Sequence, residues 1–521
     1  MHEDPAQHTI DRKQNNYAAI TRSSSMHPSL QHPSTPKPEA TGTPDCLANL
    51  IEATYAAYLA LPDIPPANDL DALFALPDIG LTATTAPGAL TVTDGVALID
   101  CRTICPTVCC PACKGTHAIK QGWTYTTLTH MPAGTHHVRL RVAKQRLKCT
   151  NCAIKYTEDI TYARFPHTQV TFTAALYMLH LAVEELLSFQ AIARHTGVGW
   201  NAVNMIVLGL GMNQLSHIDW DLSKVTAIGI DEHVCRHFHP AGNDTNTANS
   251  GGFERYATVI TDLTGRDDDT PRPHRLLAVL HGRTSDCVAA WINAQHPGFS
   301  DQIRIVAMDG SAPYRKAVGD WLERAEVVLD PFHVVRYCQD AVDEQRRECD
   351  RKKFGGRARK GDDTCNSRRL LFTQAGLLTD AQAARLAAIF QVKGRVELEV
   401  VWGLNQRVMG AYSAEDPQVG KQQMQQVLDV LAGGVPAGSV GLEYLQGKLV
   451  KRTEEILRYF DVGGKSNGVT EAFNGRMETM RRVAQGIVNF DNYTRRALVL
   501  FGGLRGRVRV TKHRNYVPCP A

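Results

Sequence analysis

Two apolar runs in this chain stop abruptly at an aspartate: "IRIVAMDG", which reaches Asp309, and "AEVVLDPFHVV", which reaches Asp330. A short apolar run bounded by turn-forming residues reads as a buried strand. A carboxylate at the mouth of such a strand is costly unless something positive meets it. Upstream, "KVTAIGIDEH" repeats the pattern and carries Asp231. Strands that drive acids toward one edge restrict the fold more than any compositional figure does.

The elements around these runs alternate regularly. "FERYATVITDLT" and "RLLAVLHGR" read as two further strands, and "SDCVAAWINAQ" and "APYRKAVGDWLE" as helices, the first with Ser285 as its N-cap candidate. Three antiparallel strands, then strands alternating with helices, describe a mixed α/β sheet covered on both faces. This is the order of a ribonuclease-H-like fold, in which the first and fourth strands lie side by side. Asp231 and Asp309 are then expected to face each other, and neighbouring carboxylates ionise together only around a cation. Mg²⁺ (or Mn²⁺) is the expected partner, a hard ion held by carboxylates and phosphate oxygens.

A third carboxylate is sought in "SNGVTEAFNGRMETMRRVAQGIVNFDNYTRRAL". Glu471, Asn474 and Glu478 stand at i, i+3 and i+7, on one face of a helix. Glu471 is the candidate, with Glu478 and Glu454 as rivals. Glu232 points to the strand face opposite Asp231, whereas His233 shares its face and either contacts substrate or packs. Asp330 either orients His333, caps the next helix or simply ends a strand. Between Asp330 and Glu471 the chain is mostly helical ("AQAARLAAIF", "KQQMQQVLDVLAG"), which reads as an insertion.

The amino-terminal half has a different character. Residues 1–45 are rich in Pro, Ser, Thr, His and Asn and read as a disordered tail. Residues 46–89 read as an Ala- and Leu-rich helical extension. Residues 90–165 alternate as strands and carry Cys110-x-x-Cys113 and Cys149-x-x-Cys152. Two such knuckles supply the four thiolates of a structural Zn²⁺ site, and a β-hairpin between them would absorb their wide separation. Cys101, Cys105 and Cys109 lie nearby and leave the ligand set open. Residues 166–220 contain "SFQAIARHTGVGWNAVNMIV", two short helices about the Gly197 turn. That is a helix-turn-helix pattern, with Trp200, Asn201 and Asn204 on the early exposed face of its second helix. The remaining divisions are a catalytic core over 221–340, a helical insertion over 341–460, and a final core helix with a basic tail over 461–521.

The net charge of +4 is mild, but from Leu442 onward Lys and Arg outnumber Asp and Glu by 15 to 7, with Arg481 and Arg482 in one cluster. Such clustering suits a polyanion. No run approaches the roughly 18 apolar residues of a membrane span, and the start lacks a signal-peptide core. A cytoplasmic protein is expected, and 14 cysteines in 521 residues then point to metal chemistry rather than disulfides.

"GIDEH", "MDGSAPYRKAV", "LDPFHVV" and "NGVTEAFNGRMETMRRVAQGIVNFDNYTRRAL" together resemble the motifs of DDE transposases of bacterial insertion sequences, most closely the ISL-three family. The likeness runs over roughly residues 100–510. It implies a catalytic triad of Asp231, Asp309 and Glu471, and a D-x-x-H signature at Asp330 and His333. It implies a bacterial enzyme, nucleoid-associated when on DNA, that binds double-stranded DNA at terminal inverted repeats. Cleavage and transfer to target DNA would follow, by a dimer or larger assembly. A nuclease of the same fold without strand transfer, and a DNA-binding regulator with a decayed core, are the alternatives.

Overall fold

The computed structural model describes residues 44–104, 109–217, 222–235, 256–265, 274–356, 362, 364, 366–484, 487 and 489–511. The proposed tail at 1–45 thus lies almost wholly outside the described residues, as do Cys105 and the end of the basic tail.

The amino-terminal unit opens with helices α1 (Pro44–Ala60) and α2 (Asp69–Phe74). Strands β1 (Leu81–Ala83), β2 (Leu90–Thr93), β3 (Val96–Thr103), β4 (Ala118–Thr129), β5 (His137–Cys149) and β6 (Lys155–Thr157) follow. They form one sheet in the order β1-β3-β5-β4, with β2 on β3 and β6 on β5. Helices α3 (Phe172–Val183), α4 (Phe189–Thr196) and α5 (Trp200–His217) complete the unit. Inward residues of the sheet (Ile99, Leu128, Leu140) share one core with Phe172, Ile192 and Ile206 of the helices and Ile51 and Tyr58 of α1. The extension at 46–89 is therefore not a separate module: α1 closes this core and β1 pairs with β3. The second helix about Gly197 is also longer than expected, at 18 residues, because its apolar positions continue into the core.

The second sheet contains β7 (Ala227–Val234), β8 (Tyr256–Asp262), β9 (Arg275–His281), β10 (Ile305–Met308) and β11 (Glu326–Leu329). Helices α6 (Ser285–Asn293), α7 (Phe299–Gln302) and α8 (Ala312–Trp321) are interspersed. The order is β11-β10-β7-β8-β9, so the first strand of this sheet lies beside the fourth. β7, β8 and β9 are antiparallel to one another, and β7, β10 and β11 run parallel. Period-two alternation divides β7 between two faces. Ile228 and Ile230 pack under α6 and α8 with Val288, Tyr314 and Val318. Thr284, rather than Ser285, caps α6, accepting from the Cys287 N–H.

After β11 comes α9 (Pro331–Phe354), then α10 (Arg368–Phe372), α11 (Asp380–Phe390), α12 (Val396–Tyr412), α13 (Pro417–Ala432), α14 (Val440–Leu449) and α15 (Thr453–Asp461). They form a helical bundle around Val342, Leu398, Val408, Val427 and Leu445. The boundary expected at 341 falls inside α9, which runs unbroken from the sheet into the bundle. Helices α16 (Gly468–Val483) and α17 (Phe490–Phe501) return to cover the free face of β7, β8 and β9, through Phe473, Met477, Tyr493 and Ala497.

Candidate functional site

The parallel strands set the site. Ile230, Met308 and Leu329 are in register across β7, β10 and β11. The next residue on each strand is therefore an acid, and Asp231, Asp309 and Asp330 emerge side by side. Asp231 does not end its strand as the sequence suggests: β7 continues to Val234 against β8, while its pairing with β10 stops at Ile230. Asp231 thus stands at an open edge although its own strand continues.

Helix α16 lies over this edge because Gly229 permits it. A Cβ at Gly229 would run into Thr470, Thr261 and Asn467. Gly229 and Asp231 share a strand face, so the helix that packs on the glycine also covers the acid. Its side chains close the site: Asn474 Nδ2 donates to Asp231 Oδ2 at 2.9 Å, and Asn467 Nδ2 to the Ile230 carbonyl at 3.3 Å. Glu471, in the first turn of α16, comes within 4.8 Å of Asp330 and His333. Among the described residues these three form a group of potential metal ligands to which neither Asp231 nor Asp309 belongs. Glu471 therefore enters the site on the Asp330–His333 side, and its charge is felt at Asp231 as well.

The remaining bonds separate the acids' roles. Asp231 Oδ1 accepts the Glu232 N–H at 2.8 Å, and Asp309 Oδ1 accepts the Ser311 N–H at 2.9 Å. Asp330 is almost wholly buried, with Oδ1 on the Asn467 N–H at 2.8 Å and Oδ2 3.3 Å from His333 Nδ1. It stands at the N-cap position of α9 but makes no capping bond, so orienting His333 is the role this geometry supports.

Burial, then the charges of Asp309 and Glu471, push the Asp231 carboxyl up to about 7, against the pull of the Glu232 N–H and His333. Burial, then Asp330, raise Glu471. Burial alone would lower His333, but the bond to Asp330 and the charges of Asp330, Asp309 and Asp231 raise it. Two carboxyls drawn upward, around a histidine that is drawn toward its charged form, mark an excess of negative charge. The Oδ1 atoms of Asn467 and Asn474 are buried here without partners. Oxygen donors, surplus negative charge and unsatisfied acceptors fit a hard divalent cation.

Other candidates fall outside the site. Glu478 is held by Arg481 at 2.8 Å and Arg482 at 2.9 Å, which also engages both arginines expected to face DNA. Glu454 is exposed on α15. Glu232 pairs with Arg283 at 3.0 Å. His233 packs, its Nε2 2.7 Å from the Tyr493 hydroxyl.

At the open end of the β4–β5 hairpin, Ala118 pairs with Cys149, so the strands carry the two knuckles to one place. Cys110 Sγ lies 3.6 Å from Cys152 Sγ, and Cys113 Sγ 3.5 Å from Cys149 Sγ. The knuckles repeat one conformation, with a left-handed residue after the second cysteine of each, Lys114 and Ala153. Backbone N–H groups of Cys113 and Ala112 lower Cys110 to about 7, and that of Cys152 lowers Cys149. Cys152, beside the other three sulfurs, is instead pushed up to about 12. Four convergent thiols, two of them drawn toward their thiolate form, fit a soft, tetrahedral ion. Cys101 is not among them: it alternates with Ala97 and Ile99 into the core. Cys109 is exposed and outside the group.

On α5, Trp200 and Asn201 are exposed. Asn204 is not available in the same way, since its Oδ1 accepts from Arg496 of α17 at 2.7 Å. Gly229 and Arg496 escape sequence reasoning. For the first, a glycine two residues before Asp231 is the signal.

Fold and site define an α/β protein with an acidic, cation-seeking centre where adjoining parallel strands end. A family model described as a transposase, that of the ISL-three type of DDE transposase, matches residues 228–497, more than half of the chain, and the chain belongs to that family. It is also similar to the transposase for insertion sequence element IS1001 of Bordetella parapertussis, at 26% identity over 239 residues. That match covers 46% of this chain and 51% of the relative, so the chain spans about half the length of the curated relative it matches.

Proposed function

We propose that this chain is a ribonuclease-H-like DDE transposase that cuts DNA at terminal inverted repeats and joins the freed ends to target DNA. Asp231 and Asp309, emerging side by side from adjoining parallel strands, with Glu471 near enough for its charge to act on Asp231, carry this reading, although Glu471 itself groups with Asp330 and His333. The 3-2-1-4-5 strand order, counted within the core sheet, supports the fold assignment.

Asp231, Asp309 and Glu471 would hold Mg²⁺ or Mn²⁺, which when bound supplies Lewis-acid charge to the scissile phosphate. In cleavage, water attacks phosphorus and the bond to the 3′ oxygen breaks, leaving a 3′-hydroxyl. In joining, that hydroxyl attacks a target phosphodiester and displaces a new 3′ oxygen, so one bond forms for each that breaks and no ATP is needed. Asn474 orients Asp231, and Asp330 orients His333, which stands ready to donate or accept a proton beside the leaving or attacking oxygen.

Cys110, Cys113, Cys149 and Cys152 would hold a structural Zn²⁺ that fixes the end of the hairpin. Helices α4 and α5 about Gly197, which has φ of 67°, form the proposed helix-turn-helix, with Asn201 toward the major groove, whereas Trp200 turns its ring toward Arg496 of α17. Arg482, 74% exposed, adds backbone charge from α16. Two transposon ends must meet, so a dimer or larger assembly on DNA is part of the proposal. Among the described residues no helix is long and apolar enough to cross a membrane.

The test is incubation of the protein with labelled DNA carrying the terminal repeats, with Mg²⁺ or EDTA, beside Asp309→Ala. Metal-dependent cuts lost in the variant, and joined products with added target, are expected. Cuts without joining would reduce the function to a nuclease. Specific binding without cuts under either metal would overturn the enzymatic reading.

A further inference from the structure

A cavity of about 950 Å³ lies between α16, α17 and the α4–α5 pair, with none of the acids in its lining. Its chemistry is one-sided. Arg194, Arg476 and Arg496 line it, and no Asp or Glu does. None of the three arginines has an ion-pair partner among the described residues. Phe189, Trp200 and Phe501 supply aromatic walls.

Arg496 is the telling residue. It is 94% buried, the complement of a 6% exposure, yet no carboxylate compensates it. Burial pulls its guanidinium down to about 10. The guanidinium sits 4.2 Å from the Phe189 ring centroid and 5.3 Å from that of Trp200. One Nη bonds Asn204, but its Nε is buried with no partner, as is Asn492 Oδ1, which also lines the cavity. A buried cation is costly unless paired, and orphaned donors and acceptors in a cavity need an occupant.

From this we infer that the groove is a binding site for unpaired DNA, in which bases stack against the exposed Trp200 and their edges meet Arg496 and Asn492. Arginines without acids draw the phosphates, and aromatic faces accept any base: this is the physical recipe of single-strand grooves. A duplex does not offer its base faces, so the occupant is a strand that has been opened. The inference rests on the reading of the chain as a DNA-processing enzyme and assigns a second substrate surface to it. Ala472, Gly475, Arg476 and Thr479 of α16 face the groove, while Glu471 and Asn474 of the same helix face the acids. Opened DNA held in the groove would thus lie one helix width from the cutting centre.

The test uses the full-length protein and fluorescein-labelled oligothymidylate, with binding read by anisotropy in EDTA. Gly475→Glu is the informative variant: a Cβ there meets nothing within 4 Å, so the variant has room to fold, and it puts a carboxylate into the groove. Single-strand affinity is expected to fall about tenfold or more in Gly475→Glu and in Arg496→Leu. Asp309→Ala should leave it unchanged, which separates this surface from the acidic centre. A 2-aminopurine base in the oligonucleotide should be quenched on binding to the parent protein and not to Trp200→Leu. Equal affinity of parent and Gly475→Glu overturns the inference. So does a failure to bind single strands where duplex is bound, or a change of oligomeric state in Gly475→Glu with single-strand binding intact. Cleavage of terminal repeats is scored separately, so loss of one reading does not entail loss of the other.

Discussion

Replacing Asp231 by asparagine should stabilise the metal-free protein at alkaline pH. The Asp231 carboxyl is pushed up to about 7, chiefly by burial. In an unfolded chain it titrates near 4. Between those values the folded protein holds a proton that the unfolded chain has released. Stability is therefore greatest below the lower value, falls as pH rises through the window, and the contribution is gone above about 7. Three pH units at about 1.4 kcal/mol each give roughly 4 kcal/mol as an upper bound. Relaxation and water entry bring the expected figure nearer 2. His333 acts in the same sense: its raised value gives stability at low pH that is lost as pH climbs through it. The asparagine fits, because the Glu232 N–H keeps its acceptor and Asn474 can turn its amide so that the orphaned Oδ1 accepts the new donor. The assay is thermal melting in EDTA at pH 5 and pH 8, with and without added Mg²⁺. The variant should melt several degrees above the parent at pH 8, alike at pH 5, and gain nothing from Mg²⁺ where the parent gains. A properly folded variant that melts at or below the parent at pH 8 would refute the charge-excess account of the site.

Glu471→Ala should abolish cleavage of terminal-repeat DNA, whereas Glu478→Gln should retain most of it, since Glu478 is held by Arg481 and Arg482 rather than facing the acids; gel assays of both decide between the two acids. Metal analysis should find one zinc per chain, lost in Cys149→Ser and retained in Cys101→Ala, with the β4–β5 hairpin opened to protease only in the first. Gly229→Ala should destabilise the fold by about 1–3 kcal/mol in denaturant melts, as overpacking does, because α16 cannot sit as close to β7. Cleavage should fall by about tenfold per pH unit below 7 as protons compete with the metal at Asp231, a profile that Asp309→Glu should reproduce if it cuts at all.

The sheet was legible because its signals are local: apolar runs, turn residues and period-two alternation lie within each strand. Cys101 is a case in point. "VALIDCRT" alternates, so Ala97, Ile99 and Cys101 turn inward together, and the same period removes Cys101 from the metal set. The Glu478 pairing with Arg481 and Arg482 is also written in the sequence, at i+3 and i+4 on one helix, and Arg482 stays exposed beyond it. Other features depend on contacts between distant segments, and no local pattern reports them. Asn204 looks like an exposed helix residue until Arg496, from the far end of the chain, reaches it. The helix at Pro44–Ala60 looks detached until Ile51 and Tyr58 are seen within the core.

The two aspartate-ended strands answer different needs. Asp330 is almost wholly buried, and both of its oxygens meet protein donors, the Asn467 N–H and His333. The Asn467 bond is the more consequential, for Asn467 is the residue from which α16 starts. By holding that N–H, Asp330 fixes where the helix begins, and Glu471 follows in its first turn. Asp309 is half-buried and gives only one oxygen to the Ser311 N–H, which leaves the other for a ligand. One strand-end acid therefore positions the helix that completes the site, while its neighbour stays open to the cation. The cost of burying a carboxylate is met by protein donors at Asp330, whereas at Asp309 the cation of the proposed function would meet it.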